Sequence, residues 1–231
     1  MKKIPLLFCL FALPFVLSAQ NRVDYGVFIA KAQGHSGLYR GELPMQYGSK
    51  APNDASTYFA YSTDFRNGDV LFRGKLYTGV ALNLNAHIDE LYVKDPIDGI
   101  YILVNKNFVD FFSFGEHRFV HHKQELGSAL AGGYYEVLYA GEIKLYKKIK
   151  KNFFENLRDG LYVKKGYTLN ESFYFLKNDK WYRVGTKREL KKLYPEQTKT
   201  IDQIVKSRGL DFSNKNRERA LIEIATHIDA L

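Results

Sequence analysis

Cysteine is almost absent from the 231-residue chain, which contains a single one, Cys9. Cys9 lies in the apolar segment at the start of the chain. Once that segment is removed, disulfide bonds, a cysteine nucleophile and thiolate metal ligands are all excluded. The remaining chain of roughly 200 residues must be stabilised by its core alone, which is feasible because such a chain buries about 70% of its unfolded surface.

Long apolar segments are also scarce. The sustained run from Ile4 to Leu17 is shorter than the roughly 20 residues that a membrane-spanning helix needs. It follows two lysines and precedes the small residues Ser18 and Ala19, which is the layout of a secretory signal peptide. We expect residues 1–19 to be a signal peptide, so that the protein is exported and is periplasmic, outer-membrane-associated or extracellular, with no transmembrane segment after cleavage.

Histidine is scarce as well, and three of the six residues fall in the segment "HRFVHH". If this segment is a strand, His117 and His121 share one face. Two histidines are fewer than the three protein ligands that catalytic zinc usually has, so a metal site would need a distant carboxylate. We interpret them as exposed histidines on a hairpin, keep His117 and His121 as the only metal-ligand candidates, and expect no cofactor.

Basic residues, by contrast, are in excess. The formal net charge is +9 at pH 7, and loss of a signal peptide with two lysines and no acid would leave +7. A moderate excess of this kind favours solubility and weak contact with anions, and it does not identify a partner.

The organisation of the chain changes near residue 68. Residues 20–67 contain many glycines and prolines with little alternation, which predicts an irregular N-terminal arm. Residues 68–184 consist of short alternating runs rich in Val, Ile, Tyr and Phe, which predict a sheet domain that is an antiparallel hairpin meander of about ten strands. Glycine or asparagine favours tight hairpin turns at four places. These turns are Arg73-Gly74, Gly115-Glu116, Ala140-Gly141 and Asn178-Asp179.

Residues 185–231 change to a helical period, which predicts a small C-terminal helical unit packed on the sheet. Thr186 with Glu189, and Thr200 with Gln203, have the spacing of capping boxes that open short helices. The fold class is therefore mainly β, or α+β overall. A third helix, beginning near residue 213 or 214, is indicated by the apolar stripe of Leu221, Ile224, Ile228 and Leu231.

Two hairpin motifs in the sheet region, "YTGVALN" from Tyr77 and "GYYEVLYAGEIKL" from Gly133, carry a family resemblance. Their order, within roughly residues 55–231, resembles a group of secreted proteins of Bacteroidota. The resemblance implies a cell-envelope location and a shared fold, and it implies nothing about mechanism. The motifs are typical of hairpins and contain no recognisable catalytic pattern.

No nucleophile, phosphate-loop or dinucleotide motif is present, so we predict no catalytic residue. The favoured hypothesis is an exported cell-envelope protein that acts as a non-catalytic binding or structural module. The alternative is a secreted hydrolase whose carboxylates come from separate strands. A concave pocket with two or more convergent acids would favour the enzyme.

The segment "GEIKLYKKIKKNF" is the candidate binding region. As a strand it places Lys144, Tyr146, Lys148 and Lys150 on one face, and Ile143, Leu145, Lys147 and Ile149 on the core face. A helical interpretation of its end would instead align Ile149, Phe153 and Leu157.

Two interpretations of the lysine row remain open. Such a row is a common way to keep an exposed strand from pairing with a neighbour. Alternatively the row, together with Lys164 and Lys165 on the following strand, makes weak contact with an anionic envelope polymer, a lipid headgroup or a protein partner. Nucleic acid is not expected, because such a site would add arginine and several stacking aromatics.

Overall fold

The computed structural model describes residues 36–44, 50–123, 130–158 and 162–230. The predicted signal peptide, with Cys9, lies outside the described residues. Within them the chain forms one ten-stranded antiparallel sheet and a C-terminal unit of three α-helices, as the sequence predicted. None of the helices in these ranges is both long enough and apolar enough to cross a bilayer.

The sheet consists of two antiparallel meanders, one of four strands and one of six, which meet where the fifth strand of the chain pairs with the first. Its order is β10-β9-β8-β7-β6-β5-β1-β2-β3-β4, with every neighbouring pair antiparallel. The connection from β4 to β5, through a 3-10 turn at Lys106–Phe108, crosses back to place β5 beside β1. The strands are β1 (Arg66–Phe72), β2 (Lys75–Asn85), β3 (Glu90–Lys94), β4 (Tyr101–Leu103), β5 (Val109–Phe114), β6 (His117–His122), β7 (Gly133–Ala140), β8 (Lys144–Arg158), β9 (Tyr162–Lys177) and β10 (Lys180–Arg183).

Three of the four predicted tight turns have the left-handed backbone that short hairpins require. The φ angles are 51° and 72° at Arg73-Gly74, 57° at Gly115, and 51° and 58° at Asn178-Asp179. The turn at Ala140-Gly141 is longer than predicted, because β8 begins only at Lys144. Beyond it β8 remains a strand to its end, so the helical interpretation of that stretch is wrong.

The helices are α1 (Lys187–Leu193), α2 (Thr198–Arg208) and α3 (Arg217–Asp229). The predicted capping box at α1 is confirmed, since Thr186 and Glu189 each bond the other's backbone N–H. The predicted box at Thr200 is wrong, because a 3-10 turn leads into α2 two residues earlier and leaves Thr200 inside the first turn.

The third helix begins at Arg217, later than predicted. The Arg217 and Asn216 amides both donate to the Ser213 carbonyl, over 2.8 Å and 3.1 Å, so residues 213–216 form a turn that precedes the helix. Its apolar stripe is confirmed at Leu221 and Ile224, which are fully buried, while Ile228 is half-buried and Leu231 lies outside the described residues.

The described residues form two hydrophobic clusters. One is formed by residues of β1 to β8 together with residues from the N-terminal arm, such as Leu38 and Ala60. The other lies between one face of β8–β9 and the three helices. Leu145, Phe173 and Phe175 supply the sheet side of this second cluster. The helical unit therefore covers one face of the β8–β9 hairpin and leaves the opposite face uncovered by helices.

Segments of the N-terminal arm lie along exposed strand edges. Glu42 bridges Leu103 beside β4, and the Asn53 side chain accepts a 2.8 Å bond from the Lys165 amide of β9. At the β2–β3 turn, the Ala86 carbonyl accepts a 3.0 Å bond from the Lys151 amide of β8. These contacts satisfy backbone groups that would otherwise be open to pairing with another chain.

Candidate functional site

The face of the β8–β9 hairpin opposite the helices is the candidate site, and we call it the open face. The two strands pair without a register break, from Lys144 opposite Leu176 to Arg158 opposite Tyr162. Residues directly opposite one another point to the same side, so the open face carries alternate residues of both strands. It is formed by Lys144, Tyr146, Lys148, Lys150, Asn152, Phe154 and Asn156 of β8, by Lys164, Gly166, Thr168, Asn170, Ser172, Tyr174 and Leu176 of β9, and by Trp181 and Arg183 of β10.

The composition of the open face is unusual for a protein surface. None of its residues is acidic, and its cations alternate with amides, hydroxyls and aromatic rings. Four of the polar residues, Asn152, Thr168, Asn170 and Ser172, are exposed or half-exposed. The surface can therefore donate and accept hydrogen bonds while it attracts negative charge.

The predicted site residues fall into two sets. Lys144, Tyr146, Lys148 and Lys150 share the open face as predicted, and Lys164 joins them because it lies opposite Asn156. Lys165 does not, because it lies opposite Glu155 on the other face, where its Nζ is 3.7 Å from the Glu155 carboxylate.

The lysines of the open face also differ in their partners. Lys148 Nζ lies 2.7 Å from Asp89 Oδ1 and donates to the Tyr134 carbonyl over 3.0 Å. Burial lowers the pKa of Lys148, with Asp89 acting in the opposite direction. Lys164 Nζ lies 3.5 Å from Asp54 Oδ2. Lys144 and Lys150 are exposed and form no ion pair with any described residue, so their charges are available to a ligand.

The ion pair of Lys148 depends on a glycine. Gly133, at the start of β7, has a φ of 131°, which is a conformation that other residues rarely adopt. A Cβ there would lie 2.0 Å from Asp89 Oδ2 and 2.5 Å from Lys148 Nζ. Because Gly133 has no side chain, the β2–β3 turn can bring Asp89 against the sheet. Asp89 then pairs with Lys148, so Lys148 stabilises the fold more than it serves a ligand.

Aromatic rings from four neighbouring strands meet beside the lysines. The Trp181 ring centroid is 4.8 Å from that of Tyr146 and 6.0 Å from that of Tyr135, while Tyr135 lies edge-on to Tyr174 at 5.7 Å. Tyr135 is fully buried and donates its hydroxyl to the Ala131 carbonyl. Trp181 is half-buried. We call the half-exposed trio Tyr146, Tyr174 and Trp181 the aromatic platform.

The opposite face of the hairpin contains a second polar group of residues, the buried charge network. At its centre, Lys147 is 2% exposed and lies opposite Glu136 of β7. Lys147 Nζ is 2.8 Å from Glu136 Oε2, 2.7 Å from Glu218 Oε2 of α3 and 3.9 Å from Glu171 Oε1 of β9.

Glu136 has two further partners in this network. His117 Nδ1 of β6 lies 2.6 Å from Glu136 Oε1, and the Tyr61 hydroxyl of the arm donates to Glu136 Oε2. The Tyr61 and His117 rings stack with centroids 3.7 Å apart. The network therefore joins the arm, four strands and the last helix at the boundary of the two hydrophobic clusters.

Burial and charge act against each other within the network. Burial alone would lower the pKa of Lys147, but the carboxylates of Glu136 and Glu218 outweigh it and raise that pKa above its ordinary value. Burial raises the pKa of Glu171, and Lys147 opposes the effect. Burial and Glu136 both raise the pKa of the Tyr61 hydroxyl, which stays protonated and can donate.

The metal-ligand candidates have other partners. His117 faces Glu136, as described, and His121 Nδ1 is 3.2 Å from the Val109 carbonyl. Burial lowers the pKa of His121. Within the described ranges, no group of three or more histidine, cysteine or acidic side chains is arranged to hold a metal ion.

The structure contains only part of the geometry that the hydrolase hypothesis requires. Carboxylates from separate elements do converge, but the Lys147 ammonium group fills the point where they meet. A groove of about 430 Å³ beside Glu218 is lined by residues of α3 and the turn before it, with Lys215 and Arg219 beside the acids. This groove is the surface of one helix and not a cleft between elements.

Sequence reasoning missed two features of these sites. Alternation alone places Lys147 on the core face without assigning it a partner, although a charged residue at such a position predicts a buried partner on a neighbouring strand. Trp181 and Arg183 were not connected with the lysine row, because their proximity depends on the pairing of β10 with β9.

Comparisons of the chain with protein-family models, with curated proteins and with solved structures found no match. Function must therefore be inferred from the geometry of the open face and of the buried charge network.

Proposed function

We propose that the protein is an exported cell-envelope binding module, not an enzyme, and that its open face binds an anionic polymer of the envelope. The observation that carries this proposal is the composition of the open face, where exposed lysines, amides and hydroxyls occur together and the strands contribute no carboxylate. An anion approaching this surface is attracted by Lys144 and Lys150, while the two carboxylates that reach the surface, Asp54 and Asp89, are paired with Lys164 and Lys148.

The spacing of the two available lysines favours an extended ligand. Lys144 and Lys150 are six residues apart on one strand, which corresponds to about 20 Å. A small anion contacts one of them, whereas a polymer lying along β8 contacts both. Exposed charges of this kind give weak contacts that salt screens, so the expected binding is salt-sensitive.

Export would place the open face where anionic polymers of the envelope occur. The signal-peptide pattern in residues 1–19 and the resemblance to secreted proteins of Bacteroidota both support a location where anionic polymers are abundant. The net charge of +7 that would remain after cleavage favours contact with anions in general.

Binding is better supported than hydrolysis. Lys147 neutralises the converging carboxylates and occupies their centre, which stabilises the fold and leaves no space for a substrate between them. The strands of the open face carry no acid that could protonate a leaving group or activate water, and the two carboxylates that reach this face, Asp54 and Asp89, are paired with Lys164 and Lys148.

The test replaces Lys144 and Lys150 by glutamine in one variant. Its matched control is Lys192→Gln/Lys199→Gln, which changes charge equally at two exposed positions on α1 and α2. We expect the Lys144/Lys150 variant to bind polygalacturonate and polyphosphate about two- to thirtyfold more weakly than wild type, with the control unchanged. Binding is measured by biolayer interferometry at about 10 mM salt, where the Debye length is about 30 Å.

Three outcomes would contradict the proposal. One is equal losses in the control and the Lys144/Lys150 variant, which would make the effect a property of net charge. Another is binding that survives both the substitutions and salt well above physiological strength. The third is a clear preference for phosphatidylglycerol vesicles or for oligodeoxythymidine. The nucleic-acid comparison is needed because the fold adds Arg183 and Trp181 to this surface, and arginine and aromatic rings are typical of nucleic-acid sites.

A further inference from the structure

The aromatic platform narrows the chemistry of the ligand. We infer that Trp181, Tyr146 and Tyr174 form a subsite that stacks sugar rings, so that the polymer bound by the open face is an acidic saccharide chain. This inference rests on the proposed binding function of the same face.

The first support is that the rings are fixed in place. Trp181 is held by Tyr146 at 4.8 Å and by His122 at 5.5 Å, and the buried Tyr135 lies beneath them with its hydroxyl bonded to the backbone. Burial raises the pKa of Tyr146, so its hydroxyl stays a neutral donor and acceptor. Aromatic side chains held in this way lose little conformational freedom when a ligand covers them.

The second support is the arrangement of the platform across the sheet. Tyr146 lies directly opposite Tyr174. Trp181 lies opposite Leu176, which is two residues beyond Tyr174 and is the next residue of β9 on the open face. Adjacent strands are about 4.8 Å apart, so the three residues cover a surface wide enough for a ring to lie on. A sugar presents C–H groups to such a surface and its hydroxyls to the surroundings.

The third support is what surrounds the platform. Ser172, Asn170 and Thr168 continue along β9 from Tyr174, and these neutral groups suit a ligand rich in hydroxyls. The exposed cations of this surface, Lys144, Lys150 and Arg183, are few. A nucleic-acid backbone carries a charge at every nucleotide and draws a denser set of cations, whereas carboxylates spaced along a saccharide match this sparse arrangement.

The test uses Trp181, which is the only tryptophan in the chain. In wild type, polygalacturonate should shift or quench its fluorescence at saturating concentration, whereas polyphosphate should leave it nearly unchanged. Trp181→Ala should weaken polygalacturonate binding by about two- to tenfold, with polyphosphate binding changed less than twofold. Trp181→Phe should recover part of the loss because it restores a ring.

Further variants separate stacking from misfolding. Tyr174→Leu removes a platform ring and should reproduce the selective loss. Tyr182→Ala is the matched control, since Tyr182 is an exposed aromatic on the other face of the same short strand. Each variant is checked by far-ultraviolet circular dichroism before titration.

The two proposals fail in different ways. If Lys144→Gln/Lys150→Gln binds both polymers as wild type does, the proposed function is wrong. If that variant loses both polymers but Trp181→Ala and Tyr174→Leu affect them equally, or affect neither, anionic binding stands and the saccharide inference is wrong. A selective loss of polygalacturonate in both aromatic variants, with Tyr182→Ala unchanged, supports the inference.

Discussion

Replacing Lys147 by methionine tests the buried charge network directly. Methionine fills a similar volume, so the change removes the ammonium group without opening a large cavity. Glu136 would keep its bonds to His117 and Tyr61 but lose the cation 2.8 Å away, and Glu218 would lose its 2.7 Å partner. Removing one partner of a buried ion pair costs about 3–5 kcal/mol, because the remaining charge stays buried without compensation.

That loss is large enough to measure in two ways. For a chain of this size each kcal/mol lowers the melting temperature by about 2–4 °C, so the expected decrease is roughly 6–20 °C. Urea unfolding followed by Trp181 fluorescence and by far-ultraviolet circular dichroism gives the free energy of unfolding, and an unchanged slope would show that the native state stays compact.

Two comparison variants isolate the contribution of the ion pair. Lys150→Met removes an exposed lysine from the same strand and should change the free energy of unfolding by less than about 0.5 kcal/mol. The double variant Glu136→Gln/Lys147→Met removes the lysine and the most buried of its carboxylate partners, and it should be more stable than Lys147→Met alone, since the uncompensated Glu136 charge is gone. A loss below about 1 kcal/mol for Lys147→Met, or a double variant whose loss equals the sum of the single losses, would refute the reasoning.

Asp229 at the end of α3 accepts bonds from the Ile143 amide at 2.7 Å and from the Tyr139 hydroxyl at 2.8 Å, and these bonds hold its pKa below the ordinary value. The stability that Asp229 adds is therefore present above its ordinary pKa of 3.8, and it is lost as the pH falls through the lower pKa of the folded state. Asp229→Asn should lower the melting temperature at pH 7 and have little effect on it near pH 2. A chelator should leave the unfolding midpoint of wild type unchanged, and a large decrease would show that His117 or His121 does bind a metal. Intact-mass measurement of protein recovered from the cell envelope should show a chain beginning at or near Gln20, and a full-length mass would rule out the predicted cleavage.

The sequence predicted the elements of the fold well wherever the signal is local. Turn residues such as Asn178-Asp179 and Gly115 have backbone preferences that act over two residues, and strand alternation needs only the neighbouring positions. The order of the strands was less accessible. Nothing local marks the return of β5 to the side of β1, because the long-range pairing of Phe112 with Val70 is decided by packing across the whole sheet.

The candidate site shows the same limit at the level of single residues. Alternation was enough to place Lys144 and Lys150 on one surface, but it could not show that Lys148 is taken by Asp89, which comes from a turn 59 residues earlier in the chain. It also could not bring Trp181 to Tyr146, since that contact needs two strand pairings in the correct register.

The adjacent residues Lys147 and Lys148 link the two faces of the hairpin. Lys147 is fixed from the helical side by Glu136 and Glu218, and Lys148 is fixed from the open side by Asp89. These ion pairs hold the backbone of β8 between them, and with it the direction of Tyr146, which supports a platform that is already in place before a ligand arrives. Lys144 and Lys150 lie on either side of this fixed stretch without ion-pair partners among the described residues. Replacing both by glutamine should therefore weaken binding while the stability of the fold is retained.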